Sequence, residues 1–116
     1  MNALEFRQKP LFEKQEIHSR IIATQPDKIP VILIRDKKSK LVDVKEFRLL
    51  IPEQYLGANM MEILRKDLNP KKDESLYLFT RCGIMNLSQS VAGEYAKARD
   101  EDGFLYLYYT EISSFG

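Results

Sequence analysis

The sequence predicts an α+β domain: a mixed four-stranded sheet wrapping one main helix, with two extra helices at the N-terminus. Three observations lead there. Four short runs, 29–34, 47–51, 75–79 and 104–109, are rich in β-branched, aliphatic or aromatic residues, with proline, glycine, asparagine or charged residues nearby. One longer segment, 57–68, places Met60, Met61, Leu64 and Leu68 at the spacing of a single helix face. Two helical stretches precede the first strand, within residues 2–24.

In chain order, residues 2–9 are mostly polar, with Leu4 and Phe6 as apolar anchors, and support at most a short helix. Pro10 sits where a helix start tolerates it, because the first turn has no use for its missing N–H. Residues 11–24 read as a helix with Ile17 and Ile21 one turn apart, and Pro26 ends it by disfavouring helical backbone in the residue before. Residues 29–34 are apolar on both faces, as in a buried strand. Residues 36–45 form a charged turn region, and 47–51 a second strand stopped at Pro52. Asn69-Pro70 terminates the main helix. Gly83 and Asn86 mark a turn, Ser90 caps a short helix over 91–99, and Asp102-Gly103 turns into the last strand. Strand alternation puts Pro30 and Ile32 on the face opposite Val31 and Leu33. The N-terminal helices are expected to cover that face.

At 116 residues the chain is one domain that buries a real core without staples. We divide it into an N-terminal helical subdomain (1–24), a core (25–110) and a flexible C-terminal tail (111–116). Net charge is +1, so no global nucleic-acid signature exists and no nucleic-acid partner is expected. The charge is split, however. Residues 1–50 hold eleven Lys/Arg against seven Asp/Glu, and residues 51–116 hold seven against ten. The basic half favours acidic partners in a salt-dependent way. The single cysteine, Cys82, excludes an internal disulfide, suits a reducing, cytoplasmic compartment and reads as a semi-buried structural thiol. With one cysteine and one histidine, His18, a closed zinc site from those residue types is excluded. The sequence shows no acid pair, nucleophilic triad, phosphate loop or metal cluster, so neither enzymatic activity nor a cofactor is expected. No apolar run approaches membrane-spanning length and no signal peptide is evident, so membrane attachment is expected only by later modification or through a partner.

The tail, Glu111-Ile112-Ser113-Ser114-Phe115-Gly116, follows a strongly apolar run. Six residues past a strand reach at most roughly 20 Å, far enough to enter another protein's active site. Glycine lacks the Cβ that would collide with a narrow slot, so a terminal glycine carboxylate suits activation and transfer to an amine. A frayed chain end is the competing reading.

Element order matches the ubiquitin roll, and local motifs go further. Pro26-Asp27-Lys28-Ile29-Pro30-Val31-Ile32, Arg48-Leu49-Leu50-Ile51-Pro52, Ile63-Leu64-Arg65-Lys66, Asp100-Glu101-Asp102-Gly103-Phe104-Leu105-Tyr106 and Phe115-Gly116 occur in this order. On these motifs the chain resembles the autophagy-related protein 8 family of ubiquitin-like modifiers, the group containing GABARAP and the microtubule-associated light chain. The resemblance implies that a cysteine protease exposes Gly116 where a precursor extends past it, and that Phe115 contributes to tail recognition. It implies that activating and conjugating enzymes pass the Gly116 carboxylate to phosphatidylethanolamine. The product would sit on the autophagosome membrane and recruit cargo receptors. The chain itself would carry no catalytic residues.

The resemblance also implies a docking surface, where a partner's aromatic-x-x-aliphatic peptide adds to the second strand. Its aromatic pocket would be lined by Ile17, Ile21, Pro30, Ile32, Leu50 and Phe104. Its aliphatic pocket would be lined by Leu49, Ile51, Pro52, Tyr55, Met60 and Ile63. Lys28 and Arg48 would meet acidic residues flanking the peptide core. The chain departs from the family pattern at several of these positions. Ile17 replaces a commonly polar residue, Glu46 a basic one, Leu49 a tyrosine, Tyr55 and Met60 a leucine and a phenylalanine, and Asp67 a basic residue. Two other functions remain open: a modifier joined to a protein lysine, like the related autophagy modifier numbered twelve, and an unconjugated tubulin-binding or trafficking adaptor.

Overall fold

The computed structural model describes residues 1–72 and 74–113, with the side chain of Ser113 left aside. Helix α1 (Ala3–Arg7) is short, as expected, and has a cap the sequence reading missed. Asn2 Oδ1 accepts from Glu5 N at 2.8 Å and Glu5 Oε1 accepts from Asn2 N at 3.0 Å, satisfying two amides that a helix start leaves open. Of the two expected anchors only Phe6 is buried, and fully so; Leu4 is 56% exposed. Helix α2 (Leu11–Thr24) follows directly after Pro10 and spans the expected residues.

Strand β1 (Lys28–Arg35) leads through the charged turn region to β2 (Arg48–Pro52). Helix α3 (Gly57–Leu68) ends at Asn69, whose left-handed backbone (φ 47°) reverses the chain before Pro70. Gly57 is required at its start: a Cβ there would lie 2.4 Å from the Asn86 carbonyl oxygen. Strand β3 (Glu74–Thr80) is followed by β4 (Gly83–Met85). Helix α4 (Val91–Ala98) is capped by Ser90, whose Oγ accepts from Gly93 N at 2.9 Å. Strand β5 (Leu105–Ser113) is the last described element.

The sheet is mixed, in the order β2-β1-β5-β3-β4. β1 and β5 run parallel; the other neighbours are antiparallel. Two expectations need correction. The sheet has five strands among the described residues, not four, because the presumed turn at Gly83 is β4, bonded to β3 from Leu78↔Met85 to Thr80↔Gly83. Three residues are too few to show a period of two, and its central Ile84 is exposed. The last strand also runs further than 109. Residues 111–113 pair with β3 through Glu74↔Ser113, so they belong to the sheet and not to a free tail. Residues 114–116 lie outside the described residues.

The sheet has two apolar faces. On one, Val31, Leu33, Leu78, Leu105 and Leu107 pack with Met60, Leu64 and Leu68 of α3 and Val91 of α4. On the other, Ile32, Phe104 and Tyr106 pack with Phe6 of α1, joined by Ile17 and Ile21 of α2. Alternation along β5 assigns Phe104 and Tyr106 to the second face, and Leu105, Leu107 and Tyr109 to the first.

Candidate functional site

Among the described residues the sheet order leaves β2 bonded to β1 on one side only, so its other edge offers open backbone donors and acceptors. Beside that edge lies a groove of about 220 Å³, lined by Ile21 of α2, Arg48, Leu49 and Leu50 of β2, and Phe104 before β5. It lies between α2, which packs on the face that Ile32 and Phe104 form, and the edge strand β2. Backbone pairing continues one residue ahead of β2, where Leu33 N donates to Phe47 O at 2.7 Å.

Of the six residues expected in the aromatic pocket, Ile21 and Leu50 line this groove with accessible surface, and Phe104 closes it from beneath, fully buried. Ile32 is fully buried beneath it and Ile17 is half-buried in the same cluster. Pro30 is buried in β1, paired with Leu50. Leu49, expected in the aliphatic pocket, lines the first groove and also packs against the main core. In the aliphatic set Met60 is fully buried and Ile51 nearly so, both as members of the main core. Met60 therefore needs correction: its side chain packs the interior and presents no surface. The residues of that set with accessible surface are Leu49, Pro52, Tyr55 and Ile63.

The charged residues fall as follows. Arg48 is exposed, its guanidinium 5.8 Å from the centroid of the Phe6 ring. Lys28 is half-buried at the start of β1, opposite Pro52. Glu46 is exposed, two residues ahead of Arg48. The preceding segment is tied down, with Lys45 N donating to Asp67 Oδ2 at 2.9 Å, so Asp67 secures the approach to β2.

Behind the groove lies a polar network that the sequence reading missed. Lys14 of α2 is buried, its Nζ donating to the Arg7 carbonyl at 2.6 Å and standing 3.6 Å from Asp102 Oδ2. Asp102 also accepts from Tyr106 OH at 2.5 Å and from Phe104 N at 2.8 Å. Burial, reinforced by the bond to Asp102, raises the pKa of the Tyr106 hydroxyl far above the usual phenol range. Arg7 stacks over Tyr106 at 4.5 Å. These contacts lock α1 and α2 to β5 and hold Phe104 in register. The only sequence signal was Asp102-Gly103, which reads as an ordinary turn.

His18 sits nearby, its Nε2 2.7 Å from Tyr95 OH. Burial lowers its pKa, with Asp102 opposing that shift and Arg99 reinforcing it. Cys82, expected to be semi-buried, is exposed in the turn between β3 and β4. Among the described residues, no cluster of three or more His, Cys, Asp or Glu could hold a metal ion, and no helix is long and apolar enough to cross a membrane.

A mixed sheet wrapped on α3, with a helical pair on its other face and an open β2 edge, defines a ubiquitin-like protein. Comparison with known proteins gives the family. The family described as "Autophagy protein Atg8 ubiquitin like" matches residues 13–116, and the chain belongs to it. Protein lgg-2 of Caenorhabditis elegans is 32% identical over 110 residues, covering 93% of this chain and 85% of that protein. Autophagy-related protein 8d of Arabidopsis thaliana is 29% identical over 107 residues, covering 92% and 89%. The crystal structure of Trypanosoma brucei ATG8 superposes with a TM-score of 0.84 over 95% of both chains at 24% identity, which shows the shared fold. The family consists of ubiquitin-like modifiers and adaptors of autophagy, and the chain is accordingly no enzyme.

Proposed function

We propose that this protein is joined through the Gly116 carboxylate to phosphatidylethanolamine and, on autophagosomal membranes, recruits cargo receptors by adding their aromatic-x-x-aliphatic peptides to β2. The observation that carries the recruitment half is the groove beside an unpaired strand edge. Strand addition takes affinity from backbone bonds and specificity from side-chain pockets, and both are in reach here. The aromatic residue enters between Ile21, Leu50 and Phe104. The aliphatic residue lies toward Leu49, Pro52, Tyr55 and Ile63. Lys28 and Arg48 attract acidic flanks, and Glu46 weakens that preference.

The conjugation half rests on family membership together with Phe115-Gly116, which lie outside the described residues. A processing protease, an activating enzyme and a conjugating enzyme supply the chemistry, and the protein is cytoplasmic until it is lipidated. Incubation with activating and conjugating enzymes, ATP and phosphatidylethanolamine vesicles is expected to add the mass of one phospholipid. Gly116→Ala is expected to abolish most of that product, because a Cβ enters the slot built for glycine. Cys82→Ser is expected to conjugate normally, since the thioester chemistry belongs to the partner enzymes. Full lipid adduct from Gly116→Ala would overturn this reading. Attachment to a protein lysine in place of the lipid would favour the protein-conjugated modifier.

A further inference from the structure

We propose that His18 sets the depth of the groove floor and thereby decides which aromatic side chain the groove prefers. The inference rests on the peptide-groove reading above.

Phe104 is the one groove-lining residue that belongs to the buried aromatic cluster. Two rings pack against it without lining the groove. His18 meets it edge-on, with centroids 5.5 Å apart and planes at 73°. Phe6 does the same, at 5.3 Å and 86°. Phe104 is therefore braced from the protein interior and, fully buried itself, closes the bottom of the groove from beneath.

The His18 side of the brace is itself fixed. The imidazole stacks on Tyr95 of α4, with centroids 6.3 Å apart and planes at 25°, and its Nε2 bonds the Tyr95 hydroxyl at 2.7 Å. Arg99 lies over the same Tyr95 ring at 5.2 Å. On another side the imidazole fills the space a residue-103 side chain would take: a Cβ on Gly103 would lie 2.5 Å from His18 Cγ and Nδ1. Gly103 also has φ +97°, a conformation that other residues adopt only with strain. A ring at position 18 and a bare backbone at position 103 thus form one unit. Together they carry support from α4 through α2 to the groove floor.

With His18 in place Phe104 has no room to retreat, and the floor is held shallow. Truncating His18 frees space on the interior side, which Phe104 can enter as packed side chains partly relax around a cavity. The groove then deepens, and a large indole gains over a phenyl ring. Two peptides identical except for Trp or Phe at the aromatic position, both with acidic flanks, are titrated against the full chain and its variants. The expected result for His18→Ala is an increase of about fivefold in the ratio of Trp-peptide to Phe-peptide affinity, on the scale by which an apolar pocket discriminates small size differences. Tyr95→Phe, which keeps the ring and loses the hydroxyl bond, is expected to move the ratio the same way by less. It carries the test if His18→Ala does not fold. Leu64→Ala, a destabilised control on the opposite face, is expected to leave the ratio unchanged. An unchanged or reversed ratio in the folded His18 and Tyr95 variants, with wild type binding both peptides, overturns this inference alone. Wild type binding neither peptide removes the groove reading, and this inference with it.

Discussion

The two faces of the sheet solve the burial problem in different ways. The face toward α3 is aliphatic and closed: Val31, Leu33, Leu64, Leu105 and Leu107 are all at or near complete burial. The face toward α1 and α2 is smaller and aromatic, and it contains a buried ammonium and a buried carboxylate, Lys14 and Asp102. The first face is held chiefly by apolar packing, with the Tyr109 hydroxyl bonded to the backbone of Val42 and Val44. The second needs a specific arrangement of donors and acceptors to seat two helices, and it ends at an open groove between α2 and β2. The closed face thus serves stability alone, and the aromatic face serves both stability and recognition. β1 and β5 serve both through alternate residues.

Substitutions on each face are expected to separate the two roles. On the closed face Leu64→Ala is expected to cost about 3 kcal/mol of stability. Denaturant unfolding measures it, and peptide affinity of the folded fraction should be unchanged. Asp102→Ala is expected to cost a comparable amount, about 3 kcal/mol, because it strands the Lys14 ammonium away from water. Unlike Leu64→Ala, it should also weaken peptide binding, since Asp102 holds Phe104 N.

At the groove the order of effects reverses. Leu50→Ala removes a partly exposed side chain and is expected to cost little stability but about 2 kcal/mol of peptide binding, as a central anchor does. Arg48→Ala is expected to cost less than about 1 kcal/mol, and its effect should shrink between low and high salt because a rim charge is screened. Glu46→Lys should strengthen peptides with acidic residues ahead of the aromatic one. Calorimetric titration at two ionic strengths checks all three variants.

The smallest expected effect is a pH slope. His18 has a lowered pKa in the folded protein against 6.5 for the unfolded chain, because burial disfavours its charge. As pH falls through 6.5, the unfolded chain takes up a proton that the folded one resists. Stability therefore drops from that point until the lowered pKa is reached. His18→Asn is expected to flatten this part of the stability profile between neutral and mildly acidic pH. Denaturation midpoints across that range test it.

Much of the closed face was legible in the sequence, because it is written in strong periods. The 3.6-residue repeat of Met60, Met61, Leu64 and Leu68 and the apolar run at 29–34 allow little else. The aromatic face was legible only in outline. Ile17 and Ile21 announced a helix packed on the sheet, but the Lys14–Asp102 pair joins residues 88 positions apart, and no local pattern reports such contacts. β4 was missed because three residues carry no period. The end of β5 was missed because Glu111, Ile112 and Ser113 have no strong strand signal, and their pairing is supplied by β3. The resemblance supplied the groove residues as a set. It did not distinguish those that line the surface from those, like Met60 and Ile32, that lie in the interior beneath it.

The most direct test of recognition at the open edge is a heteronuclear NMR titration of the labelled protein with an acidic-flanked aromatic-x-x-aliphatic peptide. The amides of Arg48 to Ile51 and of Phe104 are expected to shift most, with β2 amides gaining protection from hydrogen exchange as a new strand pairs with them. Residues of α3 facing the closed core should stay silent. Shifts centred on α3, α4 or the β4 edge, with β2 amides exchanging as freely as before, would contradict the assignment of recognition to the aromatic face.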